Sequence, residues 1–300
     1  MDIFLGLAGT VLREGFIYSL MAMGVFITYK ILDFPDLSVD GTFPLGACIS
    51  AALITFGVNP WITLILAFLG GGIAGFVTGF LHVKFRITNL LSGILIMTAL
   101  WSVNLIITGG KAVFQFFNKP TIFNSGPIML LPESMAQYRK LVLVFILAIL
   151  LKLALDWFLK TRAGLLLRAG GDNNQFVSSL GRDPGLVKIV GLTIGNGCTA
   201  LSGSVLAQMS EHADINSGKG MVVMGLAAVI IGTSLFQRFP FIKGTTMAIF
   251  GAIIYKMGLQ IALSLGLPPS YLKLLMAVLL TLALVTREIR TKAGKNEYAY

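Results

Sequence analysis

The sequence predicts an all-α fold, a polytopic transmembrane helical bundle, on three observations. Of its 300 residues, 56% are hydrophobic and 12% are charged, about half the charged share of a soluble domain. The apolar residues fall in long continuous runs, not in the alternating segments of about ten residues that build a membrane β-barrel. Lysine and arginine gather in a few connections, and the net charge of +10 is the positive-inside bias of a membrane protein. No basic patch with interleaved aromatics points to nucleic acid. No hydrophilic stretch is long enough for a separate soluble domain, so residues 1–300 read as one transmembrane domain.

A membrane helix needs about 20 mainly apolar residues. The runs that approach this length are Gly15–Leu32, Thr42–Gly57, Trp61–Val83, Leu90–Thr108, Leu141–Leu159, Val187–Met209, Met221–Phe236, Phe241–Leu265 and Pro269–Thr286, which predicts about 8–9 spans. Ahead of them, residues 1–14 place Phe4, Leu7, Ala8, Val11 and Leu12 on one helical face and end near Arg13, the pattern of a helix lying in the membrane interface. Glycine rows at helical spacing, Gly71, Gly75 and Gly79 and then Gly191, Gly195, Thr199 and Gly203, let helix backbones approach closely in lipid. Cys48 and Cys198 lie inside apolar runs and read as small core residues.

Two runs, Thr42–Gly57 and Met221–Phe236, are short. Short or interrupted hydrophobic segments mark the discontinuous helices of transporters. The first follows a polar interruption, Asp33-Phe34-Pro35-Asp36-Leu37-Ser38-Val39-Asp40-Gly41-Thr42. Irregular backbone at membrane depth survives only where protein buries it or water reaches it, and ionisable groups there are costly and functional. A discontinuous helix is therefore expected near residues 33–42, with Asp36, Ser38, Asp40, Gly41 and Thr42 as pathway or helix-break residues. They either cap the free amides of broken helix ends or touch a solute. Asn104 and Asn196, each inside an apolar run, either bond between helices or face the same pathway.

The connection 160–188 carries Lys160, Arg162, Arg168, Arg182 and Lys188, and the tail 287–300 carries Arg287, Arg290, Lys292 and Lys295. Both read as cytoplasmic, as do Lys84/Arg86 and Arg238/Lys243. The connections 109–140, 210–220 and 264–270 then face outside. The polar stretch Glu211, His212, Asp214 and Lys219 is a docking surface for an external protein or a solvated turn. The spacing of Glu211, His212 and Asp214 is poor for a metal. Phe114, Phe116, Phe117 and Phe123 form an interfacial belt or a gate. Within 160–186, Asp172 or Asn173 suits a helix N-cap, and Gly181 followed by Pro184 suits its end. The two-turn helix between them presents Phe176, Val177 and Leu180. A helix this short is marginal alone in water, so its own bundle or a cytoplasmic protein packs on it.

Three stretches, in order, resemble the membrane permease of bacterial ABC importers, in the branch handling branched-chain amino acids and ribose. Asp36-Leu37-Ser38-Val39-Asp40-Gly41 is similar to that family's signature after the first span, with Asp40 where the family often has glycine. Arg168 to Gly181, followed by Asp183-Pro184, resembles its cytoplasmic loop. Ala227 to Leu235, then Gly244-Thr245, resembles its late motif, with Gln237-Arg238-Phe239-Pro240 in place of a glycine-rich linker. The run 34–47 is similar to members linked with tryptophan or tyrosine uptake.

The resemblance implies a multi-pass protein of the bacterial inner membrane, paired with a second copy of itself and with two copies of an ABC ATPase. An extracytoplasmic binding protein would deliver the solute. The helix near 172–180 would be the coupling helix, meeting the ATPase through Asp172, Asn173, Phe176, Val177, Leu180 and Gly181. The sequence has no Gly-x-x-x-x-Gly-Lys-Ser/Thr phosphate loop. ATP is thus expected in a separate ATPase, with no cofactor in this chain and no enzyme chemistry of its own. The alternative is an ion-coupled secondary transporter, for which Asp33, Asp36 and Asp40 beside a broken helix would serve cation coupling.

Overall fold

The computed structural model describes residues 2–126, 138–239 and 241–266, together with 268, 271, 274–275, 277–282 and 284–285. Expectations for 127–137 and for the tail 287–300 fall outside the described residues. The last run, Pro269–Thr286, is described only as helical turns at 274–275, 277–282 and 284–285. In chain order the elements are α1 (Asp2–Val25), a π-helical turn (Phe26–Ile31), α2 (Val39–Thr55), α3 (Pro60–Lys84), α4 (Asn89–Ile107), β1 (Val113–Gln115), α5 (Arg139–Phe158), α6 (Arg162–Asp172), α7 (Asn174–Ser179), α8 (Pro184–Ser210), β2 (His212–Asp214), a 3-10 turn (Ile215–Gly218), α9 (Met221–Phe236) and α10 (Gly244–Ser264).

Among the described residues, seven helices are long and apolar enough to cross a membrane, and α2 is a shorter apolar helix. At 17 residues α2 reaches about 25 Å, less than the hydrocarbon core. Local chemistry sets the starts. The Asn59 side chain accepts from the Trp61 amide with Pro60 in the first helical position of α3. Asp183 accepts from Gly185 with Pro184 in the first position of α8. Both satisfy amides that a helix start leaves free.

Two expectations change. Residues 2–14 are not a separate interfacial helix: α1 runs unbroken from Asp2 to Val25, and Glu14 pairs with Lys256 of α10 at 2.6 Å. The outer connections also form a small antiparallel pair, β1 with β2, in the register Val113↔Asp214, Phe114↔Ala213 and Gln115↔His212. This pairing buries Phe116, while Phe123 joins the core and Phe117 stays exposed.

The helix α8 sits at the centre, with α3, α2 and α1 packed on it; α10 packs on α1 and α9. The glycine row of α3 is the reason for the closest approach. A side chain at Gly75 would run into the carbonyl of Leu192, and at Gly71 into Asn196 and Ala200. Without a hydrophobic driving force between helices in lipid, such close backbone packing is what holds a bundle together.

Two breaks interrupt this bundle. After the π-helical turn the chain reverses at Asp33 (φ 53°) and runs irregularly until Val39 opens α2, with the Phe34 ring fully buried. After α8 the chain turns at Glu211 (φ 56°), passes through β2 and the 3-10 turn, and opens α9 at Gly220 (φ 93°). Gly218 lies against the Asp40 carbonyl with no room for a side chain. The two breaks therefore meet at the start of α2.

Candidate functional site

Asp36, Ser38, Thr42 and Asn196 form one buried network. The Asp36 carboxylate accepts from the Ser38 amide at 2.8 Å and from the Ser38 hydroxyl at 2.6 Å, which caps the start of α2. Its other oxygen accepts from Asn196 Nδ2 at 2.6 Å. Asn196 Nδ2 also donates to the Leu192 carbonyl, 3.1 Å away, and Asn196 Oδ1 accepts from Thr42 Oγ1 at 2.5 Å. The amide nitrogen faces the carboxylate because two acceptors would repel there. Each hydroxyl carries one proton: Ser38 gives its own to Asp36, and that of Thr42 lies between Asn196 Oδ1 and the Ser38 carbonyl, the latter at 2.6 Å. Every side-chain proton in the network is then used, which is the condition for burying it.

Asp40 lies one turn away and acts across the second break. Its carboxylate accepts from the Gly220 amide at 3.0 Å and the Val222 amide at 2.8 Å. It thus caps the start of α9 from a neighbouring helix, where the free amides and the helix dipole favour negative charge. Beside it lies a cavity of about 180 Å³ lined by Asp40, Gly41, Met97, Trp101, Asn104 and Lys219 together with Pro44, Thr98 and Ile215. Asn104 is fully buried. Its Nδ2 donates to the Gly41 carbonyl at 3.2 Å, while its Oδ1 has no hydrogen-bond partner.

The structure thus divides the expected residues. Asp36, Ser38, Thr42 and Asn196 meet in the buried network; Asp40, Gly41, Asn104 and Lys219 meet at the cavity. Lys219 came from the expected outer docking surface, and the break carries it to the start of α9. Its companions stay outside: Glu211 ends α8, His212 pairs in β2, and Asp214 caps the 3-10 turn through the Asn216 amide at 2.8 Å.

On the other side, Asn173 caps α7 by accepting from the Gln175 and Phe176 amides at 2.9 and 3.3 Å, and Gly181 takes φ 69°. Asp172 closes α6 instead of capping α7. Phe176 and Leu180 are each 53% exposed, whereas Val177 is 0% exposed. The expected three-residue contact face is a two-residue one, because Val177 turns inward beside Gly170.

Sequence reasoning missed two polar hubs. Gln208 Nε2 donates to Thr63 Oγ1 at 3.1 Å and the Pro60 carbonyl at 3.3 Å, and its Oε1 accepts from the Ile122 amide at 3.1 Å. Asp156, 8% exposed, takes Lys152, Lys243 and Thr245 at 3.0, 2.9 and 2.6 Å. A lone carboxylate inside an apolar run was the signal for the second.

Long apolar helices around two meeting breaks, with buried polar networks at the breaks, define a multi-pass helical membrane protein of the transporter class. The family model for the permease component of branched-chain amino acid transport systems matches residues 7–295. The chain belongs to that family, and with seven helices among the described residues long and apolar enough to cross a membrane it is a multi-pass permease of the inner membrane. It is 43% identical over 287 residues to a tyrosine transport system permease protein of Clostridioides difficile, covering 96% of this chain and 93% of the relative. An uncharacterised protein of Rickettsia prowazekii is 36% identical, over 92% of this chain and 95% of its own. A galactofuranose transporter permease of Escherichia coli is 27% identical, over 85% and 72%. No solved structure matches this chain.

Proposed function

We propose that this permease is the membrane-spanning part of an ATP-driven importer for an amino acid with an aromatic side chain. Two copies work on two separate ATPase subunits and receive the solute from an extracytoplasmic binding protein. The observation that carries this reading is the cavity beside Asp40. It offers a cation in Lys219, an acceptor in the Asp40 carboxylate and an aromatic face in Trp101, with Asn104 in its wall. These complement the carboxylate, the ammonium and the ring of a zwitterionic aromatic amino acid. The 43% identity to a tyrosine transport permease supports the same solute class. Phe176 and Leu180, apolar and exposed on a capped helix, supply the contact with the ATPase. ATP-driven closure of the ATPase pair moves this helix as a rigid element and shifts the bundle between outward- and inward-facing states.

The test is purification of the tagged chain from its native membrane with mass spectrometry of what accompanies it. Recovery of a P-loop ATPase and a binding protein that tyrosine or tryptophan stabilises against heat, and leucine does not, is the expected outcome. Recovery of the chain alone in mild detergent overturns the reading.

A further inference from the structure

A cationic hollow lies apart from the buried Asp36 network and the Asp40 cavity. A cavity of about 390 Å³ is bounded by the π-helical turn, the end of α5, α6 and the start of α10. Lys30, Lys160, Arg168 and Lys243 line it, against the single carboxylate of Asp156. Lys243 is bound to Asp156, which Lys152 also neutralises. Lys30, Lys160 and Arg168 are exposed and form no ion pair among the described residues. The start of α10 also lines the cavity, and Lys243 gives that helix no side-chain cap, so its partial positive end adds to the same field. Like charges gathered around one hollow repel one another unless an anion sits among them.

The remaining wall is apolar, formed by Phe26, Ile31 and Leu159. Trp157, 72% exposed, stands one turn before Lys160, and Phe241, 92% exposed, stands just ahead of α10. Exposed aromatics at helix ends mark the headgroup level of a membrane. Below Trp157, the exposed Leu150 and Leu153 continue an apolar stripe along α5, a surface for acyl chains. The cavity thus joins a cationic hollow to an apolar track, at the end that the basic connections mark as cytoplasmic.

We infer that this cavity binds a phosphate-bearing anion through Lys30, Lys160 and Arg168, and that the phosphate belongs to an anionic phospholipid of the inner leaflet. Basic pockets between helices on this side of a membrane suit such headgroups. The phosphate sits among the three free cations, while Asp156 keeps Lys243 and Thr245 in place and sets the floor. The site is independent of the proposed solute cavity and of the solute's identity.

The test uses the full chain with the subunits that copurify with it. Lipids retained after detergent purification are quantified by mass spectrometry, and heat stability is followed during titration with short-chain phosphatidylglycerol, short-chain phosphatidylcholine and inorganic phosphate. Phosphatidylglycerol is expected to stabilise the wild type while the other two do not. Combining Lys30→Gln, Lys160→Gln and Arg168→Gln is expected to weaken that response about a hundredfold, at roughly fivefold per cation, and to abolish the enrichment of anionic lipid. Arg168→Gln alone, a milder change at an exposed position, is expected to show roughly the single-cation share. Lys84→Gln with Arg238→Gln, on the same face but outside the cavity, is the control. Equal stabilisation by inorganic phosphate overturns the lipid assignment in favour of a free anion. Equal loss in the control shows only general surface charge and overturns the site. Loss of the ATPase with retention of the lipid overturns it in favour of a protein contact.

Discussion

Asn196 holds both ends of a donor–acceptor chain: it gives a proton to Asp36 and takes one from Thr42. Asn196→Ala leaves the buried Asp36 carboxyl group short of a donor, whereas the Thr42 hydroxyl keeps the Ser38 carbonyl at 2.6 Å; a buried group left short costs about 1–3 kcal/mol, and more when charged. The bundle should lose about 1–3 kcal/mol of stability in detergent, read as a lower midpoint of thermal unfolding. Thr193→Ala, which removes a bond confined to its own helix, should change it by less than about 0.5 kcal/mol. The polarity of the pair gives a sharper check. Asp36→Asn sets an amide against an amide, and adding Asn196→Asp restores a donor facing an acceptor. Recovery of stability in the double variant relative to either single one is expected; additive losses would refute the network as described. In sequence, both partners were visible as polar residues in apolar surroundings. Their pairing, across 160 positions, was not, because no local pattern encodes which distant helix a buried amide meets.

Among the elements, α7 shows where local rules suffice and where geometry intervenes. Its Asn173 cap and its glycine end were legible, since both depend on backbone within a few residues. The face it presents was not. Residues 176 and 180 are four apart and share a side of a helix, but 177 lies about 100° round from 176, which turns it toward Gly170. Phe176→Asp should therefore abolish co-purification of the ATPase and leave the bundle folded. Val177→Asp buries a carboxylate and should instead reduce the yield of folded chain. Equal effects on folding from both would overturn the division between a contact side and an anchoring side. The β1–β2 pair was illegible for another reason: three-residue strands carry too little alternation to register, and the pairing exists because α8 delivers His212 beside Gln115. Asp156 was overlooked because it sits near the end of its run, where a carboxylate passes for a boundary.

For the whole molecule, the distribution of carboxylates bears on how transport is driven. Asp36 and Asp40 are engaged in capping and bridging, so coupling to an ion would first have to release a structural bond. Uptake of labelled tyrosine into vesicles carrying the complete assembly is expected to require ATP and the binding protein. It should persist when ionophores collapse the proton and sodium gradients. Uptake by the chain alone, abolished by an ionophore, would establish the ion-coupled carrier instead. The bundle as a class, the seven long apolar helices of the described residues and the first break were written in composition and run length. The second break was signalled only by the shortness of Met221–Phe236, since the turn that makes it is polar enough to pass for an ordinary outer loop.

The carboxylate of Asp40 finds its amide at Val222, 182 positions later. A ribosome adding roughly 5–20 residues per second needs about 10–35 seconds to cover that interval. Through this time the nascent chain holds its first half in the bilayer with the Asp40 charge uncapped, and the Asn196 amide too reaches Asp36 late. The newborn permease therefore passes through a stage in which its defining motif is a liability, open to membrane proteases that survey unfinished chains. Truncation before residue 222 should shorten the lifetime of the product far more than loss of the tail.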